Sequence, residues 1–249
     1  MEVHAHTHTA RKKWTHYLWE FFMLFLAVTL GFFVENQREH LVEHRREKQF
    51  MKTLLEDIQN DIVDLKNDTA FWELQFRRID TIQKEIRKPD GQRDQLLLYI
   101  NSGYMRWYEK FTYHDRTISQ LKNGGNFRLI RNAAVADSLI DYDAHISTSL
   151  KDMETISNNL WQNLNYLQNK IFNTEYYSMP LQPFNIDSAV KINREPIQIK
   201  KGSDNEIFEY FNLLDYFRGL NMARNMEHYI LLRKAYNLVA LLKKEYHLN

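Results

Sequence analysis

The sequence predicts an all-α protein, with one N-terminal transmembrane helix followed by an elongated antiparallel helical bundle or coiled coil. The 249 residues include only seven Gly and four Pro, so few positions interrupt a helix. Residues 21–34 form an apolar run without a charged side chain. Beyond this run, apolar side chains recur at helical spacing through most of residues 51–246. These three observations favour long helices over an α/β fold.

Residues 14–35 are predicted to cross a membrane. The uncharged run alone is short for a hydrocarbon layer of about 30 Å, but with residues 14–20 the helix reaches about 31 Å. Trp14, Tyr17 and Trp19 are aromatic residues of the kind found at membrane interfaces. The apolar side chains favour insertion by roughly 3–6 kcal/mol, which exceeds the cost of about 3 kcal/mol for one buried carboxylate.

The main alternative for this segment is a cleaved secretory signal. Arg11–Lys13 followed by an apolar stretch fit the first two regions of such a signal. Residues 31–35 are bulky where a cleavage site needs small side chains, so we expect an uncleaved signal-anchor. A core helix of a soluble protein is disfavoured because no polar face interrupts the apolar run.

The basic residues beside the span predict its orientation. Arg11–Lys13 directly precede it, whereas the first basic residue after it is Arg38. Because flanking Lys and Arg tend to stay in the cytoplasm, we expect the His-rich tail, residues 1–13, in the cytoplasm. Residues 36–249 then form a domain in the periplasm, anchored in a bacterial cytoplasmic (inner) membrane. The chain has no cysteine, so no disulfide or thiolate site can form within it.

The extramembrane domain contains a heptad pattern between Met51 and Ile86. Its steps alternate between four and three residues, which is typical of a coiled-coil seam or of the buried stripe in a bundle. We expect this helix to continue directly out of the membrane and to end at residues 88–91, which contain a Pro and an Asp-Gly pair. The seam consists of Met51, Leu55, Ile58, Ile62, Leu65, Thr69, Trp72, Phe76, Ile79, Gln83 and Ile86.

Further helices are predicted over about residues 92–111, 115–124, 132–171 and 204–246. Asn132 has the side chain of an N-cap for the third of these. The helical pattern stops between the last two. There Val190–Ile192 and Ile197–Ile199 alternate, which predicts a small irregular or β-hairpin insertion near residues 180–200.

Three histidines at alternate positions form a candidate metal site in the tail. In an extended backbone His4, His6 and His8 project to one side, and imidazole is a ligand for Zn, Cu or Ni. His16 lies further along and could join them. The alternative is a solvated tail whose histidines only titrate.

The membrane helix carries polar and small residues of its own. His16 and Glu20 are four residues apart and face the same way; such an ionisable pair is either a functional site or an interfacial anchor. Thr29 is a further intramembrane polar candidate. Ala27 and Gly31 have the small-x-x-x-small spacing that permits close packing of helices.

Residues 117–132 are the most distinctive stretch of the soluble part. Gly124 and Gly125 predict a structural corner between two helices; an anion-binding loop is the alternative, but the stretch lacks the Lys-Ser/Thr ending of a P-loop. Just before it, a dense group of aromatic residues lines either a ligand groove or the bundle core. This group is Tyr104, Trp107, Tyr108, Phe111 and Tyr113.

Several functional classes are disfavoured. Lys and Arg number 33 against 32 Asp and Glu, so nucleic acid is not an expected partner. The sequence shows no paired carboxylates in an apolar frame, no His-x-x-x-His or Glu-x-x-His pair on an apolar helical stripe, and no serine nucleophile elbow. We therefore expect neither enzymatic activity nor a cofactor.

Part of the chain resembles a family of uncharacterised single-pass membrane proteins common in the Bacteroidota. The resemblance lies in the HAHTHT motif of the tail, in RKKWTHY and the following helix up to His40, and in the corner from Thr117 to Asn132. It implies one membrane helix followed by a helical domain. The family has no assigned activity, so it transfers no functional residues to this chain.

Three functions follow as hypotheses. The first is a membrane-anchored helical scaffold or accessory subunit that forms a homo-oligomer or binds partner membrane proteins. The second is a subunit of an oligomeric channel or transport complex, in which copies of residues 14–34 pack around Glu20 and Thr29. The third is a periplasmic ligand sensor, which is disfavoured because only about thirteen residues are left on the cytoplasmic side to carry a signal. In each case the lipid bilayer is an expected partner.

Overall fold

The computed structural model of the protein describes residues 13–173, 199–200 and 202–248. Every regular element in these residues is helical, which confirms the all-α prediction. The chain divides after Phe50 into two compact units. Helix α1, Trp14–Ile86, passes through both of them without a break.

The first unit contains the apolar end of α1. It is the one helix within the described residues that is long and apolar enough to cross a membrane, and none of its apolar window is buried. Phe21, Leu24 and Phe32 are each more than half exposed. An apolar surface of this extent is not expected to face water. The predicted single apolar N-terminal helix is therefore confirmed, and it is compatible with a single-pass membrane protein.

The second unit begins with the remainder of α1, whose predicted end near Pro89 is confirmed because the helix stops at Ile86. A single 3₁₀ turn, Asp90–Gln92, leads to α2, Gln95–Tyr104. The Asp94 carboxylate accepts a hydrogen bond of 2.9 Å from the Leu97 amide and caps α2.

Helix α2 is shorter than predicted, since the sequence pattern continued to Phe111. The Gln75 side chain on α1 donates to the carbonyl oxygens of Tyr104 at 3.2 Å and Trp107 at 3.3 Å. These carbonyls are thus satisfied without further helical turns. Residues 107–115 run outside any helix.

Two helices and a corner follow. Helix α3 is Arg116–Asn123, and a 3₁₀ turn, Asn126–Leu129, comes after it. Helix α4 is Ala133–His145, and the Asn132 side chain accepts a hydrogen bond from the Val135 amide at 3.2 Å, which confirms the predicted N-cap.

The helix that starts at α4 continues to Ile171 but contains an irregular turn. Residues Ile146–Leu150 form a π turn, and helix α5, Lys151–Ile171, follows it directly. The predicted long helix over residues 132–171 is confirmed in its extent. The π turn was not predicted.

Helix α6, Asp204–Tyr246, has the predicted bounds. Within the second unit it runs antiparallel to α1, because Asp80 pairs with Arg218 whereas Glu73 accepts from the Tyr229 hydroxyl further along α6. It is antiparallel to α5 as well, as shown by hydrogen bonds to α6 from Ser157 at 2.8 Å and Gln168 at 3.0 Å. An apolar core lies among these helices and includes Trp72, Ile79, Ile82, Leu98, Leu164, Tyr210, Leu214 and Phe217.

The insertion predicted near residues 180–200 lies outside the described residues except at its end. There Ile199 forms one antiparallel bridge with Phe172. The Lys200 amide donates to the Ile171 carbonyl at 3.0 Å.

Candidate functional site

The polar residues predicted in the membrane helix lie on the exposed surface of α1. The His16 Nε2 and Glu20 Oε1 atoms are 3.0 Å apart, and both side chains are about half exposed. The Thr29 hydroxyl donates to the Phe25 carbonyl at 2.8 Å, so its hydrogen-bonding capacity is used within the helix. At Gly31, one turn after Ala27, an added Cβ would meet no other atom within 4 Å.

The remaining sequence candidates fall in two places. His4, His6 and His8 lie outside the described residues. Gly124 ends α3, and Gly125 has a φ of +61°, a left-handed conformation that suits glycine. This geometry turns the chain between α3 and the following 3₁₀ turn.

The second unit buries a row of carboxylates that the sequence reading overlooked. Asp57, Asp61, Asp64 and Asp68 follow one another on α1 at steps of four, three and four residues, which places them on one face of the helix. Asp57, Asp61 and Asp68 are buried. Because a buried carboxylate needs donors or cations around it, the partners of each one define what the row does.

Asp57 holds the beginning of α3. Its Oδ2 atom accepts from the amide of Thr117 at 2.9 Å and from its hydroxyl at 2.5 Å. Its Oδ1 atom lies 2.9 Å from the guanidinium of Arg116. A carboxylate at this position satisfies a free amide of the first helical turn and interacts favourably with the helix dipole. We assign Asp57 a structural role.

Asp61 joins α1 to two other parts of the unit. It accepts from the His114 amide at 2.8 Å, contacts His114 Nδ1 at 3.0 Å, and accepts from the Tyr142 hydroxyl at 2.9 Å. Burial raises the pKa of Asp61, although these hydrogen bonds act in the opposite direction. Burial and the nearby Asp61 also raise the pKa of Tyr142, so its hydroxyl remains a donor.

Asp68 takes part in a charged cluster, which we define as Asp68, Arg224, His228 and the partly buried Glu154. His228 Nδ1 lies 3.0 Å and Arg224 Nη2 4.0 Å from Asp68 Oδ2. These are electrostatic contacts rather than aligned hydrogen bonds, since neither Asp68 oxygen has a hydrogen-bond partner among the described residues. Asp68, Arg224 and His228 are almost completely buried.

Aromatic side chains surround the guanidinium of this cluster. Arg224 lies over the rings of Trp72 and Tyr108, with its central carbon 4.4 Å and 5.5 Å from their centroids. Its Nη1 donates to the Tyr108 hydroxyl at 2.9 Å. That hydroxyl donates in turn to the Glu154 carbonyl at 3.2 Å. The cation is therefore stabilised by ring faces and one neutral oxygen as well as by charge.

Glu154 is the member of the cluster that borders open space. Burial raises the pKa of its carboxyl group, and the nearby Asp68 raises it further, while Arg224 and His228 lower it. Its Oε1 atom is buried without a hydrogen-bond partner among the described residues. An unpaired carboxylate oxygen of this kind is costly to bury.

A cavity of about 260 Å³ adjoins Glu154. We call it the π-turn cavity, because Ile146, Ser147 and Leu150 of the π turn form one part of its wall. The remainder of the wall comes from Phe111 and Tyr113 before α3 and from Lys151 and Glu154 at the start of α5.

The predicted aromatic group is divided by the fold. Phe111 and Tyr113 line the π-turn cavity, and Tyr108 belongs to the surroundings of Arg224. Tyr104 is buried, whereas Trp107 is about half exposed. Part of the group thus lines a cavity and part of it packs in the interior.

Tyr113 connects the cavity wall to a further ion pair. Its hydroxyl donates to Asp143 at 3.1 Å, and the same carboxylate pairs with Lys122. Burial and the charge of Asp143 raise the pKa of Tyr113. In the part of the chain that the structure describes, no group of three or more His, Asp or Glu side chains is arranged to hold a metal ion.

Two signals in the sequence could have identified these clusters. One is the row of four aspartates on α1. The other is on α6, where Asn221, Asn225 and His228 repeat at helical spacing beside Arg224, within an otherwise apolar stripe. Polar residues in register on the buried faces of two neighbouring helices indicate a buried polar network.

Comparisons with known proteins gave no match to this chain among protein-family models, curated proteins or solved structures.

Proposed function

We propose that the protein is a membrane-anchored helical scaffold or accessory subunit, without enzymatic activity, that assembles with itself or with partner membrane proteins. The exposed apolar end of α1 supports the anchoring part of this proposal. Anchoring confines the chain to two dimensions and raises its effective concentration toward other membrane proteins. The packed helices of the second unit would then act as the interaction surface.

The observation that carries the interaction role is a row of exposed large side chains on α6. Its members are separated by 14, four, three and seven residues, a heptad spacing that suits contact with another helix. Exposed apolar patches of this kind are typical of interaction sites. The α6 row consists of Phe208, Met222, Met226, Tyr229 and Tyr236, all exposed.

Cysteine crosslinking in native membranes tests this role, and the chain has no cysteine of its own. Met226→Cys in the α6 row is expected to give a disulfide-linked product of defined mass after mild oxidation. Asn159→Cys, at an exposed position on α5, is the matched control and is expected to stay monomeric. Equal crosslinking at both positions, or none at Met226→Cys together with a monomeric, partner-free native mass, would contradict the proposal.

We propose further that residues 1–13 face the cytoplasm and that residues 36–249 lie in the periplasm. The three basic residues before the span support this orientation. A membrane-impermeant maleimide applied to intact spheroplasts is expected to label Asn159→Cys without lysis. Labelling that requires lysis would reverse the orientation.

A second candidate function, a channel or transport subunit, is favoured by the His16–Glu20 contact of 3.0 Å beside the apolar run. Ionisable residues within a span commonly line ion pathways. If this function holds, Glu20→Gln abolishes ion flux in reconstituted vesicles, whereas Glu39→Gln, an exposed position beyond the apolar run, leaves flux unchanged. Equal flux in both variants and in the unmodified protein would refute it.

A further inference from the structure

We propose that the π-turn cavity is a binding site for a small organic ammonium ion, whose charged group pairs with Glu154 and whose apolar body rests on Phe111 and Tyr113. The proposal goes beyond anchoring and assembly, and it does not depend on them. It rests on the shape of the cavity, on the unpaired oxygen of the Glu154 carboxylate and on the aromatic rings of the cavity wall.

The size and the lining of the cavity suit a small, partly apolar molecule. Its volume of about 260 Å³ is close to the lower limit of ligand pockets and is several times the share of one water molecule. Four of its lining side chains, Phe111, Tyr113, Ile146 and Leu150, are apolar or aromatic. Such walls fit the hydrocarbon part of a ligand better than they fit water.

The π turn shapes this cavity. Ile146, Ser147 and Leu150 all belong to it, and Lys151 follows directly. A π turn inserted into a helix is uncommon, and such turns occur frequently at functional sites. In a regular helix these side chains would project in other directions, so the wall depends on the irregular turn.

Glu154 supplies the polar end. Its Oε1 atom has no donor among the described residues, and burial raises the pKa of the carboxyl group. A cation in the cavity would offset the cost of keeping this carboxylate ionised. Glu154 lines the cavity, and its carboxyl group also accepts a hydrogen bond from the Phe111 backbone amide. An ammonium N–H in the cavity could donate to the same carboxylate.

The wall of the cavity favours a cation over an anion. Glu154 places a carboxylate in this wall beside two aromatic rings. The basic residue of the wall, Lys151, is exposed to solvent, so its ammonium group is well solvated there. The rings of Phe111 and Tyr113 offer faces that also attract cations.

Three probes with the same carbon skeleton and different charges test the proposal by isothermal titration calorimetry on the detergent-solubilised full chain. 2-Phenylethylamine is cationic, 2-phenylethanol is neutral and phenylacetate is anionic at neutral pH. We expect the amine to bind at least about tenfold more tightly than either of the others, since a buried charge-assisted hydrogen bond is worth that much.

Variants assign this preference to the cavity. Glu154→Gln is expected to abolish the preference for the amine, whereas Glu209→Gln, an exposed position on α6, is expected to retain it. Ser147→Phe places a ring at an exposed position of the wall and is expected to weaken binding of the amine while the fold is kept. Circular dichroism melting curves verify that each variant is folded.

Three results would overturn the proposal. The first is equal binding of the amine and the alcohol, which would indicate an apolar cavity without charge selectivity. The second is tighter binding of phenylacetate, which would indicate an anion site. The third is no binding of any probe, or amine binding that persists unchanged in folded Glu154→Gln and Ser147→Phe.

Discussion

Asp61 illustrates how a single buried side chain holds several parts of the second unit together. It contacts the backbone and ring of His114 and accepts from Tyr142, so one carboxylate connects α1, the segment before α3, and α4. Removing it leaves several buried polar groups without a partner, which costs more than the loss of one contact.

We therefore expect Asp61→Ala to lower the free energy of unfolding by about 2–4 kcal/mol. Asp64→Ala is the matched control on the same helix. Asp64 is about one-third exposed and lies 3.8 Å from His114 Nε2, so its loss is expected to cost less than about 1 kcal/mol. Guanidinium unfolding of the full chain in detergent measures the unfolding free energy of both variants. Equal losses would show that burial of Asp61 does not determine its contribution to stability.

Glu154 should make stability depend on pH in a defined direction. Its pKa in the folded protein is raised above the ordinary 4.5 by burial, so the folded state binds this proton more tightly than the unfolded state does. The resulting contribution to stability is complete below the ordinary pKa and is lost as pH rises through the raised value. Asp68, Arg224 and His228 are the charged or titratable neighbours that set the upper end of this window.

Compared with the unmodified protein, Glu154→Gln is expected to lose less stability as pH rises from about 4.5 to 7. The difference between the two unfolding free energies, followed across this range, measures the effect and removes contributions from all other groups. The unfolding free energy of Glu209→Gln should change with pH in parallel with that of the unmodified protein. A constant difference between Glu154→Gln and the unmodified protein would mean that the carboxyl group titrates normally.

Among the elements, the corner after α3 and the middle of α6 contain glycines with opposite properties. Gly125 adopts a left-handed conformation with a φ of +61°, which is unfavourable for residues with a Cβ. Gly219 lies inside α6, and an added Cβ there would meet no other atom within 4 Å. Backbone strain therefore determines the effect of a substitution at Gly125, and helix propensity determines it at Gly219.

Gly125→Ala is expected to destabilise the protein by about 1–2 kcal/mol. Gly219→Ala is expected to stabilise it by up to about 1 kcal/mol, because alanine is the better helix former. Thermal unfolding of the two variants beside the unmodified protein provides the comparison. Destabilisation by both substitutions would show that Gly219 has a packing role that the described residues do not reveal.

At the scale of the whole molecule, helix α1 combines two different kinds of surface in one continuous element. One helix, Trp14–Ile86, contains both an exposed apolar end and the buried carboxylate row. The same element is thus apolar and exposed along one stretch and lies in a packed protein interior along another. Its apolar end requires no tertiary partner if lipid covers it.

Leu24→Asp together with Leu26→Asp is expected to remove the chain from the membrane fraction. Two carboxylates near the bilayer centre cost about 6 kcal/mol, as much as the apolar residues contribute to insertion. The control pair is Leu41→Asp with Val42→Asp, exposed positions on α1 beyond the apolar run. Carbonate extraction followed by immunoblotting measures the fraction retained, and full retention of the first pair would refute the predicted span.

The helical class, the exposed apolar stretch of α1, the N-cap at Asn132 and both ends of α6 could be predicted from the sequence, because these features depend on side chains within a few turns of one another. Packing between distant segments set the early end of α2, since the Gln75 side chain of another helix donates to the carbonyl of its last residue, Tyr104, and to that of Trp107 beyond it. It also determined which groups make up the candidate site. The partners of Asp61 lie 53 and 81 positions away in the chain, and the π-turn cavity exists only where segments distant in sequence meet. A local pattern can show that a carboxylate will be buried, but tertiary packing determines which groups surround it.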